Sequence, residues 1–281
     1  MHIYTATMRR VIDGMAVIIT GASAGIGKAL AEELSRRGAR LALAARRLER
    51  LEELNRSLGG RHLCVRTDVS VREQCEALVA AALERFGRID TLVCNAGYGI
   101  LRAVADTSPE QMQEIFQANV FGTADCVRAA VPHMLRREIV HRWRGQIMIV
   151  SSALARRALP FFGAYSATKA AQLSLAEAMR VELRPSRIAV TTVHPIGTDT
   201  EFGDAAAARA GGGRIDRIPG EVRQSAAQVA RKMALAIERP VAEVWPFGPA
   251  RWALSLATLA PRVVDRVMAK RVNVDRRAEP I

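Results

Sequence analysis

The sequence predicts an α/β protein: a doubly wound, mostly parallel sheet of seven strands with helices on both faces. Three observations carry that reading. Short β-branched runs alternate with segments of helical period through most of the 281 residues. The runs are apolar throughout, as strands buried on both faces must be. No linker breaks the rhythm between residues 15 and 245, so this stretch reads as one domain.

The elements follow in order. Residues 15–20 (MAVIIT) form a continuous apolar strand, and residues 26–37 the first helix. A second strand is expected at 40–45 (RLALAA). An amphipathic helix at 48–58 then places Leu48, Leu51, Leu54 and Leu58 on one face. Strand 62–66, helix 71–86 and strand 89–94 (IDTLVC) continue the alternation. A long helical region at 109–137 precedes strand 146–150 (QIMIV), helix 164–183 and strand 188–193 (IAVTTV). A helix at 226–237 and a seventh strand at 242–245 close the series.

Three segments stand outside it. Residues 1–14 form an N-terminal extension in which Arg9 and Arg10 have no apolar core behind them, so it does not read as a secretory signal. Residues 203–220, rich in Ala, Gly and Arg, read as a loop of the kind that covers substrates. Residues 246–281 change to an apolar helix, a proline and a basic amphipathic helix. There Val263, Val264, Val267 and Met268 are backed by Arg262, Arg266, Lys270 and Arg271. This tail is expected to pack on its own domain or a second subunit; peripheral contact with an anionic membrane is the less favoured alternative.

Composition excludes several classes. The 49% hydrophobic and 25% charged residues are those of a globular chain, not a disordered one. The longest apolar stretch, 252–260, falls well short of the roughly 20 residues of a membrane span. Cys64, Cys75, Cys94 and Cys126 show no metal-ligand spacing, so no metal is expected. They read as reduced thiols, which suits a cytoplasmic location. The net charge of +13 is nearly all arginine and spread along the chain. With aromatics at only 5%, it reads as a solvated face and not as a nucleic-acid surface.

The chemistry concentrates at strand ends. After the first strand comes Gly21, Ala22, Ser23, Ala24, Gly25, Ile26, Gly27. A glycine-rich turn between strand and helix lets backbone approach a pyrophosphate, and the helix start offers unpaired N–H groups. Asn95-Ala96-Gly97 follows the fourth strand, and Tyr165 precedes Lys169 by four on the helix after the fifth. Three tyrosines and four lysines in this length give about 0.04 such pairs by chance. Residues four apart share a helix face, so both side chains can enter one cleft.

These motifs in this order resemble the short-chain dehydrogenase/reductase family, in the branch marked by TGxxxGIG, NAG and YxxxK. The resemblance covers about residues 15–245 and implies a Rossmann fold, a nicotinamide dinucleotide and a homodimer or homotetramer. It implies Tyr165 as the acid/base group, and Lys169 as both its neighbour and a ribose contact. A free tyrosine titrates near 10, and a nearby ammonium is expected to move it downward. By the same resemblance Ser152 holds the substrate oxygen, with Ser151 as its rival, and Asn119 anchors a proton-relay water. Asp68 and Val69 match the adenine-binding pair, and Asn95, Ala96 and Gly97 wall the coenzyme pocket. The family's Pro-Gly-Thr becomes Pro195-Ile196-Gly197-Thr198-Asp199-Thr200, leaving Thr198 and Thr200 as rival contacts to the nicotinamide amide. His194 is expected to be structural.

Coenzyme choice is read at the end of the second strand. Arg46 and Arg47 stand there with no carboxylate, which favours NADP(H) over NAD(H), because arginine pairs with a 2′-phosphate. Arg46 is the better candidate, and Ser23 could add a contact. Around the catalytic positions Tyr98, Leu154, Leu159, Phe161, Phe162 and Phe202 are mostly apolar, which suits a hydrophobic ketone, aldehyde or alcohol. The less favoured readings are a dinucleotide-sensing protein without turnover and a sugar-nucleotide epimerase or dehydratase.

Overall fold

The computed structural model describes residues 9–203, 206 and 223–271. The alternation is realised as β1 (Ala16–Thr20), α1 (Gly25–Arg36), β2 (Arg40–Ala45), α2 (Leu48–Ser57), β3 (Leu63–Arg66), α3 (Arg72–Phe86) and β4 (Thr91–Cys94). The second half runs α4 (Pro109–Phe116), α5 (Gly122–Leu135), β5 (Gly145–Val150), α6 (Gly163–Glu182), β6 (Ile188–Val193), α7 (Ala226–Glu238) and β7 (Glu243–Val244). Among the described residues these seven strands form one parallel sheet in the order β3-β2-β1-β4-β5-β6-β7.

The order reverses between β1, which pairs Val17 with Leu41 on one side and Thr91 on the other, and β4. Where successive strands diverge, a crevice opens at their carboxyl ends. Gly21 and Asn95 both sit there.

The central strands are largely apolar on both faces because both faces are covered. Val17 and Ile19 pack with Leu30 and Leu34 of α1 and with Val229 and Met233 of α7. Ile18, pointing the other way, packs with Leu78 of α3 and with the layer that holds Val127 and Ala176. Every one of these side chains is buried.

The helix expected over 109–137 is two helices joined by a π turn at Gln117–Phe121. Asn119 explains the break. Its Oδ1 accepts from Tyr98 N at 3.0 Å, and its Nδ2 donates to Tyr98 O at 3.0 Å and Thr168 Oγ1 at 3.0 Å. The widened turn aims this amide across the cleft, and its displaced carbonyl accepts from Gln172 Nε2 at 2.7 Å and Thr123 Oγ1 at 2.8 Å. A short parallel pair, Thr198–Asp199 with Gln224–Ser225, was not legible in the sequence.

Beyond the sheet lie α8 (Gly248–Leu259) and α9 (Pro261–Arg271), separated at Ala260. The stripe expected to pack on this domain or on a second subunit divides in the structure. Val264 and Met268 are half-buried, whereas Val263 and Val267 are exposed. The loop expected at 203–220 lies outside the described residues except for Gly203 and Ala206. No helix among the described residues is long and apolar enough to cross a membrane.

Candidate active site

The glycine turn is locked to the loop after β4. Gly21 has φ +67°, and a Cβ there would sit 2.8 Å from the Ala96 Cα. A Cβ on Gly27 would strike the Gly21 carbonyl oxygen and come within 2.5 Å of Asn95 Nδ2. Asn95 holds the turn by donating from Nδ2 to Thr20 O at 2.9 Å and Gly21 O at 3.2 Å. Thr20 Oγ1 in turn accepts from Asn95 N and Ala96 N, both at 3.0 Å. The N-terminus of α1 has no side-chain cap at Ala24 and no acidic residue in its first turn. Its leading N–H groups are therefore left without a side-chain cap from Ala24 and carry the positive end of the helix dipole.

The reactive-looking side chains meet at the carboxyl ends of β4 and β5. Tyr165 and Lys169 project from one face of α6, with the Lys169 Nζ 5.5 Å from the centre of the tyrosine ring. Lys169 donates to Val150 O at 2.9 Å and Gln172 Oε1 at 2.8 Å. Ser152 lies beside the phenol, and its Oγ accepts from Leu154 N at 3.1 Å. The rival Ser151 instead donates to Lys169 O at 2.9 Å, a tie between β5 and α6. A Cβ on Gly97 would lie 2.9 Å from Asn119 Oδ1 and 3.7 Å from Lys169 Nζ, so these groups border one space.

Burial dominates the electrostatics. It pushes the Tyr165 phenol above its ordinary value, with Ser152 pulling weakly the other way. The expected downward push from Lys169 does not prevail, because the same burial brings the lysine down to about 7 and weakens its charge near neutrality. Between about 7 and 10.5 the unfolded chain binds a proton that folded Lys169 has released, so this group's contribution makes stability rise with pH. Tyr165, shifted up, opposes that rise only above about 10. Urea unfolding from pH 7 to about 9.5 should therefore show wild type gaining up to about 1 kcal/mol per pH unit over Lys169→Met. Parallel profiles for the two proteins would mean that the amine keeps its ordinary affinity.

At the end of β2, Arg46 is exposed, while Arg47 reaches Ser23 Oγ at 3.4 Å. Sequence reasoning missed two neighbours. Arg50 donates to both oxygens of Glu201 at 3.0 and 3.1 Å, and Arg47 lies 3.6 Å from the same carboxylate. One residue back, the Thr200 methyl lies 3.2 Å from where a Gly25 Cβ would stand. Thr198 turns its hydroxyl onto Ile196 O at 2.8 Å, and Pro195 O accepts from Ala153 N at 2.9 Å. Of the two threonines, Thr200 is the one beside the glycine turn. Asp68 accepts from Ser70 N and Oγ at 3.0 and 2.7 Å, and Val69 packs under Gly122.

An apolar wall adjoins the tyrosine. Phe202 and Phe162 lie 5.1 and 6.2 Å from its ring centre. Tyr98 and Leu154 join them, as do Ile100, Met112, Ile115 and Phe116, which the sequence did not single out. His194 is fully buried and stacked on Trp245 at 4.4 Å, with its nitrogens on Ser152 O and Thr192 Oγ1 at 3.2 Å each. Both its nitrogens are engaged in structural bonds.

Fold and site together define an oxidoreductase with a nucleotide-binding crevice. Residues 15–210 match the family model of the short chain dehydrogenases. The chain is 31% identical to dehydrogenase/reductase SDR family member 7B of Bos taurus over 97% of this chain and 86% of that protein. It is 38% identical to 11-beta-hydroxysteroid dehydrogenase-like 4A of Arabidopsis thaliana over 66% of this chain and 61% of that one. Among solved structures, a Burkholderia phymatum short chain dehydrogenase/reductase in complex with NAD aligns with a TM-score of 0.80 at 26% identity, over 91% of this chain and 96% of that one. A Burkholderia cenocepacia short chain dehydrogenase in complex with NADP aligns at 0.75 and 28%, over 92% and 99%. The chain belongs to the short-chain dehydrogenase/reductase family.

Proposed function

We propose that this enzyme interconverts a hydrophobic ketone or aldehyde and its alcohol with NADP(H). The observation that carries the reading is the meeting of Tyr165, Lys169 and Ser152 beside an apolar wall, at the sheet end that also bears the phosphate turn. The uncapped start of α1 suits a pyrophosphate, and the solved relatives named above were determined with NAD or NADP.

Once bound, the dinucleotide supplies or accepts a hydride. This chain's own residues handle the proton and the geometry. Ser152 Oγ holds the substrate oxygen against Tyr165. The phenol, kept protonated by burial, gives its proton to that oxygen in reduction and takes it back in oxidation. Lys169 lies next to the ring and adds positive charge as the phenolate forms. Asn119, fixed in its π turn, holds the Tyr98 backbone and Thr168 at the inner end of the cleft.

A 2′-phosphate on the adenosine ribose would be met by Arg47, which reaches Ser23, with Arg46 at its edge, and would compete with Glu201 for Arg47 and Arg50. Asp68 and Val69 would border the adenine, and Thr200 the nicotinamide side of the turn. The wall of Tyr98, Leu154, Phe162 and Phe202 would hold the substrate. The steroid dehydrogenase-like relative is consistent with such a lining.

The test is a panel of carbonyl compounds assayed with both coenzymes. Apolar ketones should turn over faster than small charged keto acids. Arg47→Ala or Arg46→Asp should lower the NADP-to-NAD affinity ratio by about tenfold. The reverse substrate ranking sinks the apolar pocket, and an unchanged ratio in both variants sinks the NADP assignment.

A further inference from the structure

Helices α8 and α9 carry a row of large apolar side chains on the outside of the molecule. Trp252 is 70% exposed, Leu256 66%, Leu259 80% and Val263 56%. A monomer leaves single apolar groups in water without consequence, but a run of this length along one segment marks a contact surface. The helices do not hang free. α8 packs on the turn Ala153–Ala155 that follows Ser152, and Asp265 of α9 pairs with Arg157. The exposed row is thereby held beside the substrate wall.

Charge selects the occupant. Arg251, Arg262 and Arg266 flank the row and are exposed, and the Arg251 guanidinium lies 5.9 Å from the Trp252 ring centre. From Gly248 to Arg271 the only acidic residue is Asp265, which Arg157 already engages. A second copy docked on this face by a two-fold axis would bring the arginines together with no carboxylate to answer them. An anionic bilayer answers both features: headgroups take the guanidiniums, and Trp and Leu enter the acyl boundary.

We infer that the α8–α9 face is a peripheral docking surface for anionic lipid membranes. The inference is independent of the substrate reading, since binding is read with vesicles alone. The experiment sediments the full chain with vesicles of phosphatidylcholine, with and without roughly one third phosphatidylserine. Wild type should pellet with the anionic vesicles, and brominated acyl chains should quench the part of its fluorescence that Trp252→Phe removes. A combined Trp252→Ser, Leu256→Ser, Leu259→Ser variant keeps the full net charge and should bind at least about tenfold more weakly. Its turnover in solution should be unchanged, which establishes that it folds. Three results overturn the inference: a variant that binds as well as wild type, which would mean charge alone is at work; a wild type that stays in the supernatant; or a wild-type dimer, dissolved by the variant, with no vesicle binding.

Discussion

Replacing Tyr165 by Phe should lower turnover by about three orders of magnitude while leaving coenzyme binding nearly intact. The size follows from what the hydroxyl is proposed to do. Proton transfer by a positioned side chain is worth about 10²- to 10⁴-fold, and among the described residues none of the groups beside the phenol matches it as a proton donor. Ser152 Oγ accepts from the Leu154 amide, Lys169 is tied to Val150 O and Gln172, and His194 has both nitrogens engaged. The ring itself should stay put. It is 7% exposed and packed against Phe162 and Phe202, contacts that Phe retains. Quenching of protein fluorescence by NADPH should thus give an unchanged Kd, while kcat collapses. If Tyr165→Phe kept a tenth or more of wild-type kcat, the proton would have to travel by another route. Ser152→Ala should cost less, about a hundredfold, because it removes a hydrogen bond and not the proton donor. Ser151→Ala would instead loosen the tie between β5 and α6, and its loss should appear in stability before it appears in kcat.

The parts of this site legible in the sequence are those in which spacing alone fixes geometry. Tyr165 and Lys169 are one helical turn apart, so a shared face follows from helix periodicity. The glycines sit between a strand and a helix, where only a tight turn fits. Preferring Ser152 to Ser151 rested instead on the family resemblance, since spacing alone leaves both serines at the same strand end. What stayed hidden depends on which distant segments the fold brings together. Ile100, Met112, Ile115 and Phe116 reach the tyrosine from the loop after β4 and from α4, and nothing local marks them. Glu201 meets Arg50 across 151 residues. The π turn was invisible because 109–137 has unbroken helical character; it exists so that Asn119 can answer the Tyr98 backbone. The upward shift of Tyr165 was missed for a related reason. Its neighbouring amine is legible, but the depth at which both groups are buried is a property of the finished wall.

Asp90→Ala should lose about 3–5 kcal/mol of stability, more than any other change in its network. The reason lies at the amino ends of the strands, opposite the active site. The carboxylate is nearly buried and saturated: Oδ2 accepts from Ala16 N at 2.8 Å and Arg88 Nε at 3.0 Å, and Oδ1 from Arg137 Nη2 at 2.6 Å. Beside it the Arg10 guanidinium, 5% exposed, donates to Gln146 Oε1 and to Asp90 O, each at 2.7 Å. Burial lowers Arg10 to about 10 and the Asp90 charge works against that shift, so Arg10 remains charged at neutral pH. Alanine would leave one buried cation without its counter-charge, a second, Arg137, without its partner, and the first amide of β1 without an acceptor. Asp90→Asn keeps an acceptor for Ala16 but not the charge, and should lose roughly half as much. Arg88→Ala, removing the half-exposed partner, should cost less than about 1 kcal/mol. Urea midpoints at constant m-value give this ranking directly. Because the network joins β1, β4 and β5 at the end remote from Tyr165, kcat/KM per folded molecule should be preserved in all three variants. An Asp90→Ala protein as stable as Arg88→Ala would show that the buried charges are solvated by something other than this carboxylate.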